Sequence, residues 1–181
     1  SPSIRQDHRA RALVHELELL EQELSISGAI LYYDFPLFRD ESGTLYRPRV
    51  VLLTRTHGVF LFSLSDELEK ADSELSQLDS VVFAKLVKSH ILRKGKRELH
   101  VQITSVIYAE QPRRSDSKVY ESTVVTSVSG LRGMLQASQN RTLSEPQWNE
   151  LISLLEGGKD LLRQRERDIS YVSPRSKAAI L

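Results

Sequence analysis

The hydrophobic period changes abruptly at Ser27-Gly28, and that change restricts the chain to folds in which a helix packs on a sheet. Before it, Ala10, Leu13, Val14, Leu17, Leu20 and Leu24 recur at steps of three and four, one stripe of a helix. Ser3 and Gln6 have capping-box spacing ahead of that stripe, and Gly28 suits the left-handed geometry that stops a helix. After it come three short apolar runs, at residues 29–33, 50–53 and 59–64. The first is β-branched and aromatic and fits a strand buried on both faces, and the other two read as the second and third strands. Pro36 and the polar stretch 39–43 read as a loop, and residues 55–58 as a tight turn joining the second and third strands.

Residues 66–97 are segregated by charge. Asp66, Glu67, Glu69, Asp72, Glu74 and Asp79 oppose only Lys70, whereas Lys85, Lys88, Arg93, Lys94, Lys96 and Arg97 meet no acid. Leu75, Leu78, Val82, Leu86 and Val87 keep helical spacing through the middle, and acids at the start with bases at the end suit a helix dipole. Alternation predicts a fourth strand over 99–108 and a β-branched run a fifth over 119–128, with a loop at 111–118 between them. A short helix follows over 130–137. Ser144 with Gln147 is a capping box, and Leu143 with Trp148 has the spacing of a hydrophobic staple, so another helix starts there. Residues 159–168 read as one more helix and 169–174 as extended, because the residue before a proline avoids the helical region. The predicted class is α/β (α+β): a mixed β-sheet flanked by helices in the order α-β-β-β-α-β, plus a C-terminal β/helical extension.

Composition narrows the chemistry by exclusion. Apolar residues make up 40% and charged residues 27% of 181, a globular balance. A net charge of +1 provides no global field toward nucleic acid or membrane. The absence of cysteine removes thiolate zinc sites and cysteine nucleophiles. No apolar run approaches the roughly 20 residues that span a bilayer, and Arg5, Asp7, Arg9 and Arg11 interrupt any signal-peptide pattern. A soluble, cytoplasmic domain with no membrane partner is expected. His8, His15, His57, His90 and His100 form no metal-ligand spacing, and neither a Gly-x-Ser-x-Gly elbow nor a phosphate-binding Gly-x-x-x-x-Gly-Lys-(Ser/Thr) loop occurs. No cofactor is expected.

The element order, with Gly28-Ala-Ile-Leu-Tyr-Tyr-Asp-Phe-Pro-Leu37, Tyr46-Arg-Pro-Arg-Val-Val-Leu-Leu53 and His57-Gly-Val-Phe-Leu-Phe62, resembles the PD-(D/E)xK nuclease core. More narrowly it resembles the nuclease-related, NERD-like domains that precede UvrD/Rep-type superfamily 1 helicases. The resemblance implies a restriction-endonuclease-like core over residues 1–128, a helical extension over 129–168 and a connector over 169–181. A helicase motor would follow Leu181, and the parent protein would be ATP-dependent. In active members an aspartate and an (Asp/Glu)-x-Lys pair hold a divalent metal that generates the attacking hydroxide. Here Pro48 keeps the proline, but Arg49 stands at the aspartate position and Ser63-Leu64-Ser65 at the Glu-x-Lys. The resemblance therefore implies a degenerate site at Arg49, Ser63 and Ser65, with no catalytic residue and no metal.

Two alternatives stay open. Asp34, Asp40, Glu41, Asp66 and Glu16 or Glu18 could reassemble a relocated metal site in an active nuclease. The acidic 66–79 stretch and the Trp148 helix could instead be docking surfaces of a protein-interaction domain. For DNA or RNA the candidate residues are Lys85, Lys88, Arg93, Lys94, Lys96 and Arg97, with Arg113 and Arg114 in the next loop. Aromatic residues for single-strand stacking are sparse there, Phe83 being the one nearby.

Overall fold

A computed structural model describes residues 7–26, 28–34, 38–113, 118–139 and 141–157. In chain order the elements are α1 His8–Glu23, β1 Ile30–Tyr33, β2 Phe38–Arg39, β3 Leu45–Tyr46, β4 Val50–Thr54, β5 Gly58–Ser63, α2 Leu68–Leu86, β6 Arg93–Gly95, β7 Glu98–Leu99, β8 Ile103–Tyr108, β9 Thr123–Val125, α3 Val128–Ala137 and α4 Glu145–Glu156. Five strands form one mixed sheet in the order β1-β4-β5-β8-β9, flanked by the four helices. The pairs β1–β4 and β4–β5 are antiparallel, and β5–β8 and β8–β9 are parallel. Helix α2 makes the crossover that a parallel pair requires.

Both faces of the sheet are apolar because successive side chains point to opposite sides. Ile30, Tyr32, Val51, Leu53, Val59 and Leu61 pack toward α2 and α4. Leu31, Tyr33, Val50, Leu52, Phe60 and Phe62 pack toward α1 and α3. Of the expected stripes, α1 buries Ala10, Leu13, Leu17 and Leu20, and α2 buries Leu75, Leu78, Val82 and Leu86, to which the structure adds Leu68 and Ala71 while Val87 falls just past the helix end. Leu131 and Leu135 of α3 join the first helical layer, while Trp148, Leu151 and Leu155 of α4 join the second, so packing runs across the 128/129 boundary. At the end of α4 the buried Glu156 accepts the Tyr32 hydroxyl of β1 at 2.7 Å, a bond across 124 residues of chain. Burial beside that carboxylate pushes the Tyr32 hydroxyl far above its ordinary range.

Several expectations need correction. Helix α1 is capped by Asp7, whose carboxylate accepts the Ala10 N–H at 3.1 Å; Ser3 and Gln6 lie outside the described residues. It ends at Leu24 rather than at Gly28. The 39–43 stretch is the turn of a β2–β3 hairpin, in which Asp40 accepts Ser42 Oγ, the Thr44 N–H and Tyr46 Oη. Residues 66–97 are not one helix. α2 stops at Leu86 because Leu92 and Val101, both buried, draw the chain back into the core, and residues 93–99 project between them as the β6–β7 hairpin. The expected fourth strand is thus divided, β7 in the hairpin and β8 in the sheet. The fifth shrinks to residues 123–125, since Val119 is 95% exposed and the Glu121 and Ser122 N–H groups donate to the Asp72 carboxylate of α2. The α4 capping box forms as read, with Leu143 and Trp148 both buried at its entry. The loop at Pro36, the helix expected at 159–168, the extended 169–174 and the 169–181 connector lie outside the described residues.

Gly58 turns the corner between β4 and β5 at φ +88°, where a Cβ would stand 2.4 Å from the Gln102 carbonyl oxygen. Gly43, also at φ +88°, has nothing within 4 Å of that position. Gly58→Ala is expected to lose about 3 kcal/mol, combining backbone strain with displacement of a neighbouring strand, against about 1 kcal/mol for Gly43→Ala. Urea unfolding of the two variants measures the difference; equal losses would mean that the Gln102 approach carries no cost.

Candidate functional site

The two ends of the sheet carry different chemistry. At one end the chain leaves β1, enters β4 and leaves β5, and the residues next to the paired strands are Asp34, Arg49 and Ser63. The Asp34 N–H donates to the Arg49 carbonyl at 2.9 Å, and the Val50–Phe62 pairing puts Ser63 opposite Arg49. Arg49 and Ser63 line one cavity of about 210 Å³, walled by Tyr46, Phe62, Leu75 and Leu78. Ser65 does not line it; its hydroxyl accepts the Glu67 N–H at 3.1 Å in the turn toward α2.

The Arg49 guanidinium is held between carboxylates. It pairs with Asp7, the cap of α1, and its other Nη lies 3.9 Å from Asp34. Tyr33 Oη donates to the same Asp7 carboxylate at 3.2 Å, and the guanidinium sits 5.6 Å over the Tyr33 ring. The two acids are 11% and 7% exposed, so they need a counter-charge, and Arg49 supplies it. A divalent cation at this point would have to displace a guanidinium already placed between the two carboxylates. A metal does not fit these residues.

Of the acids that could have formed a relocated site, Asp34, Asp40 and Asp66 are each engaged by other partners. Asp34 faces Arg49 and Asp40 closes the β2–β3 turn, its carboxyl held below the usual range mainly by the Ser42 hydroxyl. Asp66, just beyond β5, accepts Arg9 Nη2 at 2.7 Å and the N–H groups of Glu110 and Gln111. The Arg9 hydrogen bond leads in keeping the Asp66 carboxyl below its ordinary value, with the two backbone N–H groups adding to it. Among the described residues no three His, Asp or Glu side chains gather in a way that could hold a metal ion.

The opposite end of the sheet is cationic. The β6–β7 hairpin carries Arg93, Lys94, Lys96 and Arg97, all exposed, and Lys88 is exposed on the approach to it. Glu98 is the acid on this hairpin, and Arg93 Nη2 meets His90 Nδ1 at 3.1 Å. Lys85 stands apart from the group: it is half-buried in the last turn of α2, 5.8 Å over the Phe38 ring, and burial lowers its pKa. Arg113 is also elsewhere, its N–H donating to the Asp66 carbonyl at the Arg49 end, and Arg114 lies outside the described residues. Strand β5 separates the two ends by six residues, about 20 Å at the rise of a strand. The six basic candidates therefore reduce to one exposed cluster at 88–97 plus an interior Lys85, and that cluster is remote from Arg49.

Sequence reasoning missed Asp7 as the partner of Arg49, although an Asp just before a helical stripe is itself a cap signal. It also missed a second cavity, about 230 Å³, where His100 at the foot of the hairpin meets Arg141 and Thr142 ahead of α4. Nothing in local spacing joins residues 41 positions apart.

Two outcomes follow. Arg49→Met should lower stability by about 2 kcal/mol, and adding Asp7→Asn should cost less than the sum of the single changes by about 1 kcal/mol, a coupling moderated by solvent at the 40%-exposed guanidinium. A double-mutant cycle in urea measures it, and strict additivity would exclude the clamp. Because the folded-state pKa of Asp66 is lowered, its ionisation favours the fold above the unfolded value near 3.9, and that contribution disappears as pH falls below it. The stability gap between the parent and Asp66→Asn should therefore be full at pH 6 and close between about pH 4 and 2. Compared with protein families, with curated proteins and with solved structures, the chain has no match.

Proposed function

We propose that this domain is a nuclease-like module without nuclease chemistry that binds nucleic acid through the β6–β7 hairpin, as an accessory unit of a helicase-type protein. The observation that carries this reading is the separation of roles between the two ends of the sheet. At one end Arg49 fills, as a fixed cation, the position where the family resemblance calls for a metal ligand. At the other, Arg93, Lys94, Lys96 and Arg97 project on a hairpin whose base is anchored by the buried Leu92 and Val101. The order helix, three antiparallel sheet strands, crossover helix and parallel strand supports the nuclease-like reading. Residues 169–181, which resemble the connectors of such helicases, support a place ahead of a motor.

The physics of the hairpin favours a polyanion. Its cations are exposed, and among the described residues no salt bridge engages them, so contact with phosphates would release condensed counterions. A backbone-tracking contact of this kind carries affinity but little sequence preference. The sparse aromatic content near it agrees with phosphate contact rather than base stacking.

Lys94→Glu, Lys96→Glu and Arg97→Glu together should weaken binding to single- and double-stranded oligonucleotides alike. Each lost phosphate contact should reduce the slope of log affinity against log salt by about 0.7 to 0.9. The fold should survive, at a cost within about 0.5 kcal/mol per substitution. Arg49→Met, at the other end, should leave the affinity unchanged, and no Mg²⁺- or Mn²⁺-dependent cleavage should accompany binding. Fluorescence anisotropy across a salt series reads the first two outcomes and a plasmid-nicking assay the third. Undiminished binding by the triple variant would remove the hairpin from the function.

A further inference from the structure

We propose that the β6–β7 hairpin enters the major groove of a DNA duplex, which makes B-form DNA its partner in preference to an RNA duplex or a single strand. The choice of a duplex rests on the nucleic-acid reading of the hairpin and adds the form of the polyanion. Both feet of the hairpin are tied down. Leu92 and Val101 are buried, and Leu99 packs partly buried against the same core. The Leu92 carbonyl accepts the His100 N–H at 2.8 Å, and the Ser89 carbonyl accepts the Arg93 N–H at 2.9 Å. The Ser89 hydroxyl donates to Glu150 of α4 at 3.1 Å, which joins that foot to a second element. A projection held in this way presents a fixed shape, and a fixed shape distinguishes one groove from another.

The dimensions favour one groove. The three residues of β6 span about 10 Å at the rise of a strand, and the ribbon is two strands wide. The major groove of B-form DNA, about 12 Å wide and 8.5 Å deep, admits a two-stranded ribbon, whereas the minor groove is only ~6 Å wide. An A-form RNA duplex has a major groove too deep and narrow for side chains and a shallow minor groove. Residues 88–100 contain no Phe, Tyr or Trp, so the hairpin lacks the platform on which single-strand bases stack.

The tip carries the second signal. Gly95 pairs with Glu98, so Lys96 and Arg97 are the two central residues of the turn. Two-residue hairpin loops favour Asn-Gly or a leading Gly there, because the primed turns that match strand twist need positive φ. Neither Lys96 nor Arg97 has positive φ, and the register shifts between Arg93 and Gly95. The tip thus gives up favourable turn chemistry to carry two exposed cations, a local conflict of the kind that functional sites retain. With Arg93 and Lys94 behind them, these cations can meet phosphates on both walls of a groove. Glu98, the acid of the hairpin, is tolerated there because cytosine shows an amine donor in the major groove.

The test uses three labelled ligands of one sequence, each about 16 nucleotides long: a DNA duplex, an RNA duplex and a single DNA strand. Anisotropy at about 0.15 M salt reads the affinities. The two duplexes carry the same number of phosphates, so a difference between them reports shape. The DNA duplex should bind about 5- to 10-fold more tightly than the RNA duplex, and more tightly than the single strand. Bulky substituents at cytosine C5, which fill the major groove, should weaken binding at least about 5-fold, while netropsin in the minor groove should change it less than about 2-fold. Lys96→Asn combined with Arg97→Gly installs a favoured turn, so the hairpin should persist with an unchanged or raised urea midpoint. In that variant the preference for DNA over RNA should fall below about 2-fold. Equal affinity of the parent for the two duplexes, tighter binding of the single strand, displacement by netropsin or indifference to the C5 substituents would overturn groove entry while leaving the hairpin as a binding element. A preference undiminished in the double variant would overturn entry by the tip. Absence of binding to all three ligands would overturn groove entry and the nucleic-acid reading together.

Discussion

Burial of β4 and β5 on both faces is the constraint on which the rest of the molecule depends. Val50 to Leu53 and Val59 to Phe62 send alternate side chains to opposite helical layers, so neither layer can be omitted without exposing a row of large apolar groups. At roughly 25 cal/mol per Å² of apolar surface, each fully buried Leu, Val or Phe contributes about 1.5 to 3 kcal/mol. This explains why α1 and α3 share one side and α2 and α4 the other, although they arise far apart in the chain. It also fixes where polar chemistry can go. With both faces covered, the open positions are the two sheet ends, and the Arg49 clamp and the basic hairpin occupy one each.

The central strands and the helical stripes were legible because their signals are local and redundant. Phe60 and Leu61 have no polar neighbour within the strand, and Ala10, Leu13, Leu17 and Leu20 repeat over about three turns. The Ser144 capping box was legible for the same reason, since its two partners are three residues apart. Charge patterning was less informative. The run from Lys85 to Arg97 looks like the cationic end of a helix, yet only Lys85 lies in the last turn. What decides the matter is Leu92, a single apolar residue whose burial outweighs continued helix formation. Similarly, the β-branched residues 119–128 favour a strand by composition, but the Asp72 carboxylate captures two of the N–H groups that a longer ladder would use.

The sites themselves were the least legible. Sequence placed Arg49 and Ser63 at equivalent positions of neighbouring strands, and the antiparallel register brings them to one cavity. It had no means of bringing Asp7, 42 residues earlier, onto the Arg49 guanidinium. The same holds for His100 and Arg141, which meet only because Leu143 docks against the β4–β5 turn. Charged groups that compensate each other across the fold leave no periodicity, since electrostatic pairing constrains space and not spacing. The separation of the acidic and basic runs did survive translation into structure, as opposite ends of α2: Asp66 beside Arg9 at one, and the hairpin cations beyond the other.

The hydrogen bond between Tyr32 and Glu156 sets an order of events in the making of the chain. Strand β1 can pair with β4 as soon as Thr54 has been made, which closes a short loop at small entropic cost. The Tyr32 contact must wait for another hundred residues, because its partner is the last residue of α4. During synthesis at roughly 5 to 20 residues per second, the layer holding α2 therefore stays open for several seconds after the sheet has begun to form. Until Leu86 is made nothing from α2 covers the apolar side chains of β1 and β4 on that face, and from then until α4 arrives they depend on α2 alone. A chaperone that recognises exposed apolar strands has its opportunity in those seconds.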